Sequence, residues 1–368
     1  MSKYVKIIVS SFLVMAFALG LVQLPVYSMD QSSEMPQMQM ILEYESKYDF
    51  EETTQMLEEK VKSSGWSIVQ IFDYKEILGS KGFDILNIKI YAVCSGKYSG
   101  AILELDNERM VSPLMPCRIS IYEKSDGKTY IALMNSSEVA APFGGLIAET
   151  MKAVGSETAE MIKSLVVSET TTVAKSDVET IKPYEGHLAW FALQTGTDGV
   201  QSYVATIKEK EANGIVLDDI IAADAFKMDY PFFFMEDQIQ MILENESKFD
   251  FTDTVEKLKE QVEATGWSVV GEFDYKEILS TKGFDILDIK IIAVCSGKYS
   301  AEILSLDDER MVSPLMPCTI AVYEKSDGKT YIARLNSGEV AVPFGGVIAK
   351  VMQTVSMDTE AIIQELIK

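Results

Sequence analysis

Aligned on itself at an offset of 201, the chain matches residues 38–167 to residues 239–368 without a gap, and 84 of those 130 positions are identical. Such identity marks a duplication, so whatever one copy folds into the other folds into as well. At 368 residues with 47% apolar content, the chain also exceeds what a single core usually organises. Repeat domains are therefore expected at residues 34–168 and 237–368. Each copy, cut at about residues 30–167 or 237–368, is expected to close its own core and fold alone.

One reading of the elements serves both copies. Residues 38–43 make a short apolar strand candidate. Asp49 precedes a helix with Phe50, Leu57 and Val61 on one face, and Glu52 stands three residues after that cap. Gly65 follows where a left-handed residue ends a helix. Residues 66–72 are rich in Trp, Ile, Val and Phe. Asp73 and Glu76, repeated as Asp274 and Glu277, have the spacing of a capping box on a short helix rather than of an acid–base pair. A β-rich stretch then runs to Cys94, a helical period covers residues 97–105, and Ser125-Asp126-Gly127 joins two further strands as a hairpin. A last amphipathic helix follows Gly144-Gly145. The predicted order is β-α-β-β-β-β-α, an α+β plan with helices on one face of an antiparallel sheet.

Residues 1–28 have two lysines, then an apolar run over residues 7–22, then small residues before Met29. This is the pattern of a signal peptide cut after Ser28, and it predicts an exported chain, periplasmic or extracellular, with no membrane span after its removal. Between the copies, residues 169–236 carry 12 acids and 5 bases and predict a partly helical insert that helps fix how the copies sit. The formal charge of −23 repels phosphate backbones, and no basic patch relieves it, so nucleic acid is not an expected partner.

Chemistry is sparse. The single histidine, His187, falls in the insert and has no counterpart in either copy, which argues against histidine catalysis and a His-rich metal site. Four cysteines recur at matched positions, Cys94 and Cys117 in the first copy, Cys295 and Cys318 in the second. If the strand ending at Cys94 pairs antiparallel with the strand starting at Cys117, both lie at one sheet edge. Three readings follow: a disulfide within each copy, a redox or soft-metal thiol site, or buried inert thiols. Ser95-Gly96-Lys97 opens a helix beside Cys94 but lacks the glycine and hydroxyl spacing of a phosphate loop. Lys97, Tyr98 and Arg109, with Lys298, Tyr299 and Arg310, are the candidate ligand contacts at this edge, anion binding by helix-start N–H groups included. Met110-Val111 and Pro113-Leu114-Met115 are candidates for an adaptable apolar groove.

The run YAVCSGKYSGAILELDNERMVSPLMPCRISIYEKSDGKTYIALMN, with a cysteine closing one strand and Pro116-Cys117 opening the next, resembles the Domain of Unknown Function 302 family. The resemblance spans nearly all of each copy. It implies the TATA-box-binding-protein-like fold, β-α-β4-α, but no activity. Where that family usually has Asn-Pro after its first cysteine, this chain has Ser95-Gly96 and Ser296-Gly297.

These readings lead to an exported, non-catalytic binding module. Its two copies pack as an intramolecular pseudo-dimer, with no cofactor or metal, and its partner is a small molecule or an envelope protein. The alternative is a thiol-dependent redox or soft-metal-binding protein using the paired cysteines.

Overall fold

The computed structural model describes residues 39–167 and 240–368, which belong to one compact unit. The expected signal peptide, the insert over residues 169–236 and His187 lie outside the described residues.

In the first copy the strands are β1 (Ile41–Glu45), β2 (Ser67–Asp73), β3 (Ile88–Cys94), β4 (Cys117–Glu123) and β5 (Thr129–Met134). The second copy repeats them as β6 (Ile242–Glu246), β7 (Ser268–Asp274), β8 (Ile289–Cys295), β9 (Cys318–Glu324) and β10 (Thr330–Leu335). Each set forms a five-stranded antiparallel sheet in the order β1-β5-β4-β3-β2 and β6-β10-β9-β8-β7. The first copy's helices are α1 (Phe50–Ser63), α2 (Tyr74–Gly79), α3 (Gly96–Leu103), α4 (Ser136–Ala140) and α5 (Gly145–Ile162). Their counterparts are α6 (Phe251–Ala264), α7 (Tyr275–Ser280), α8 (Gly297–Leu304), α9 (Ser337–Val340) and α10 (Gly346–Ile363). Setting the short helices aside, the order is the expected β-α-β4-α.

Local chemistry explains the boundaries. The Asp49 carboxylate accepts from the Glu52 N–H at 2.9 Å, the N-cap that satisfies an orphan donor of α1. Gly65 takes φ of 79° just beyond the helix, where a side chain would be strained. Asp73 caps α2 at 3.1 Å and Asp274 caps α7 at 3.0 Å, as their spacing implies. Leu57 and Val61 on α1 are fully buried against the sheet.

The unexpected element is a 3-10 segment, Glu108–Leu114, repeated as Glu309–Leu315. It packs on the sheet of the opposite copy, the first segment on β6, β9 and β10 and the second on β1, β4 and β5. Val111, Leu114 and Met115 are buried there, so the residues expected to line an open groove are already occupied by the other copy.

Reciprocal hydrogen bonds lock the exchange. Arg109 donates to the Glu324 carbonyl at 2.9 Å, and Arg310 to the Glu123 carbonyl at 2.9 Å. Asp307 accepts from the Ser125 N–H at 3.0 Å and Asp106 from the Ser326 N–H at 2.8 Å. At the sheet edges the Gln70 amide donates to the Val270 carbonyl at 2.9 Å, and Phe72 meets Phe273 edge-on at 6.5 Å. Buried apolar residues of both copies form one contiguous cluster. The expectation that each copy closes its own core thus meets a single cluster that both copies share. Each sheet has its own helices on one face and the partner copy on the other, so the second face is not finished within one copy.

Candidate functional site

The antiparallel pairing of β3 with β4 does bring Cys94 and Cys117 to the same end of the sheet, and β8 with β9 does the same for Cys295 and Cys318. The residue opposite Cys117 is Val93, however, and opposite Cys318 it is Val294. Cys94 and Cys295 stand one position beyond those partners, so the two cysteines of a copy are diagonal neighbours rather than a directly opposed pair. All four thiols are free.

Tyrosines of the opposite copy close these corners. Tyr74, the first residue of α2, lies against Cys295, and Tyr275, the first residue of α7, lies against Cys94. Cys94 and Cys295 also contact the Ser99 and Ser300 hydroxyls at 3.4 Å. In the second copy Cys295, Cys318, Trp267, Tyr299 and Met316, together with Tyr74, line a cavity of about 20 Å³, room for roughly one water molecule. Burial raises every thiol pKa above the ordinary value, and pushes Cys117 and Cys318 up to about 12. At neutral pH these are neutral thiols rather than nucleophilic thiolates. Among the described residues no three His, Cys, Asp or Glu side chains cluster as metal ligands.

Between the two corners, on the axis relating the copies, stands Arg118 on β4. It is 6% exposed, and the corresponding residue of the second copy is Thr319. Its guanidinium donates to the Thr319 hydroxyl at 3.1 Å and, weakly, to the Pro314 carbonyl at 3.4 Å, while Thr319 donates to the Pro113 carbonyl at 2.6 Å. The ionisable groups facing it are Tyr74, Cys318, Tyr275 and Cys117. Burial acts against its charge, lowering its pKa from the ordinary arginine value. A second cavity of about 20 Å³ is lined by Arg118, Thr319, Cys318, Pro113 and Arg334. Cys318 lines both cavities.

The expected ligand contacts have other partners. Tyr98 donates to Glu157 at 2.6 Å, Trp66 donates to the same carboxylate at 2.8 Å, and the Lys97 ammonium sits 4.7 Å from the Tyr98 ring centre. Tyr299 pairs likewise with Asp358, and Lys298 lies 5.5 Å from its ring. These groups tie α3 and α8 to the closing helices. Arg109 and Arg310 are buried in the bonds between the copies, each also donating to its own chain, at 2.8 Å to Leu103 and 2.7 Å to Leu304. The start of α3 is covered by Lys282 and that of α8 by Lys81, each from the other copy.

Arg118 is not among the residues singled out from the sequence. A signal was there: within the nearly unchanged run MVSPLMPC and the strand after it, arginine faces threonine across the duplication, a charge substituted in a strand that otherwise reads as core.

A family model described as "Domain of unknown function DUF302" matches residues 42–167 and again residues 243–366. The chain belongs to this family, in two tandem copies. Among solved structures it is similar to the crystal structure of an uncharacterised conserved DUF302 protein from Bacillus stearothermophilus. The two are 20% identical, the match covers 34% of this chain and 97% of that one, and the TM-score is 0.32. No curated protein matches this chain. Among the described residues no helix is long and apolar enough to cross a membrane.

Proposed function

We propose that this DUF302 protein is a non-catalytic binding module of the cell envelope, and that its ligand sits where the two copies meet, at the centre formed by Arg118, Tyr74, Tyr275 and the cysteines. The observation that carries this reading is the buried guanidinium of Arg118, which has no carboxylate partner among the described residues and borders a small cavity. Binding fits the site better than thiol chemistry. Burial keeps the four thiols protonated at neutral pH, and a nucleophile or exchange catalyst needs the opposite shift. The signal-like composition of residues 1–28 supports placement outside the cytoplasm.

The test is native mass spectrometry of the protein recovered from its own compartment, before and after denaturation, paired with a disulfide-exchange assay at pH 7. A bound species released on unfolding, together with exchange no faster than for a buried thiol, supports the reading. Rapid, stoichiometric exchange by the native protein would replace it with a thiol enzyme.

A further inference from the structure

We infer that Arg118 holds one small monovalent anion of halide size, at a single site per chain on the axis between the copies. The inference rests on the binding reading above and names its ligand class. A guanidinium stays protonated at any physiological pH, so removing it from water leaves a positive charge that the surroundings must answer. Here they do not. Among the described residues no acid pairs with Arg118, and its two acceptors are a neutral hydroxyl at 3.1 Å and a distant carbonyl at 3.4 Å. Arg334, on the same cavity, is already neutralised by two hydrogen bonds to Glu360, at 2.7 Å and 2.6 Å.

Further hydroxyls flank the residues that line this cavity. Among the described residues the buried hydroxyls of Ser112, Ser313 and Ser120 have no hydrogen-bonding partner, while those of Tyr74 and Tyr275 lie against the Cys295 and Cys94 thiols. Ser112 and Ser313 precede the prolines whose carbonyls meet Thr319 and Arg118, and Ser120 lies two residues beyond Arg118 on the same face of β4. Five N–H donors with two acceptors, on a cavity that Arg118 and Thr319 line together, leave a place for a negative acceptor. The cavity of about 20 Å³ sets its size, since one water-sized body fits and a carboxylate-bearing metabolite does not. Because Thr319 stands where Arg118 would recur, the centre takes one anion, not two.

The full chain is to be unfolded thermally in sodium gluconate, chloride and bromide at one ionic strength, and crystals grown in bromide measured at the bromine absorption edge. The expected result is an unfolding midpoint that rises with halide concentration, a hundredfold excess over Kd favouring the native state about a hundredfold. One anomalous peak per chain beside Arg118 is also expected, with both effects lost in Arg118→Met. Should that variant fail to fold, the wild-type peak alone decides. The inference is overturned by the absence of a halide-specific shift, by a peak elsewhere, or by thiolate absorbance from Cys117 or Cys318 at pH 7 showing that a thiolate supplies the counter-charge. An organic ligand found by native mass spectrometry without a bromide peak would sink the anion and leave the binding reading standing. Rapid disulfide exchange with the peak present would do the reverse.

Discussion

Replacing Glu360 by alanine is expected to destabilise the protein more than replacing Arg334 by leucine, although Arg334 is the buried member of the pair. Arg334 has a side chain 5% exposed and makes a bidentate pair with Glu360, whose side chain is 43% exposed; it also donates to Asn245 at 2.6 Å. Glu360→Ala strands a buried guanidinium with one amide partner and a carbonyl at 3.4 Å. Breaking a buried pair costs about 3–5 kcal/mol, and the partial exposure of Glu360 brings the expectation here to about 2–3 kcal/mol. Arg334→Leu removes the charge itself and returns a half-exposed carboxylate to water. The first copy shows that leucine fits, because Leu133 holds the same position with Ala159 and Tyr44 where the second copy has Glu360 and Asn245. Its cost is expected within about 1 kcal/mol, and the triple variant Asn245→Tyr, Arg334→Leu, Glu360→Ala is expected to match it. Urea unfolding at pH 7 measures all three, with the m-value as a check that the unfolded states are comparable. An Arg334→Leu cost equal to or above that of Glu360→Ala would refute the reasoning.

The alkaline limb of stability should be steep. Cys117 and Cys318 are raised from near 9 to about 12, so their contribution is intact below pH 9 and declines as pH rises toward 12, by about 1.4 kcal/mol per pH unit for each thiol. Denaturant midpoints at pH 7, 9, 10 and 11 check this, and a flat profile above pH 9 contradicts it. Iodoacetamide should label native cysteines slowly at pH 7 and all four rapidly in urea, read by intact mass. Tyr122→Phe removes a hydroxyl that donates to the buried Glu43 carboxylate and should cost about 1–2 kcal/mol by the same urea assay. Residues 39–167 and 240–368 made as separate chains should combine one to one by analytical ultracentrifugation, each alone binding a hydrophobic dye; two stable monomers that ignore each other would show that the cores close separately after all.

What the sequence made legible was whatever local chemistry decides. Caps at Asp49 and Asp73, the stop at Gly65 and the turn at Ser125-Asp126-Gly127 act through neighbours a few residues away, and the structure has them where they were expected. The 3-10 segment Glu108–Leu114 has no such signal. It contains Pro113, shows no helical period, and is held by the opposite copy roughly 200 residues along the chain. Arg109 misled for the same reason, since nothing beside it reveals that its hydrogen-bond acceptor is the carbonyl of Glu324. The cysteine corners could be placed because strand pairing is a short-range inference, but the one-residue offset that sets Cys117 opposite Val93 depends on a register the hairpin alone does not fix.

A charge on a twofold axis poses a parity problem. Two identical subunits place every side chain twice, so a lone arginine at their centre is forbidden: the axis receives two like charges facing each other, or none. Fusing the copies into one polypeptide lifts that restriction, because the halves then drift independently. Position 118 and position 319 have done so, one keeping a cation and the other a hydroxyl that accepts from it at 3.1 Å. Odd stoichiometry at the centre is therefore something a tandem chain can encode and a symmetric pair of single copies cannot.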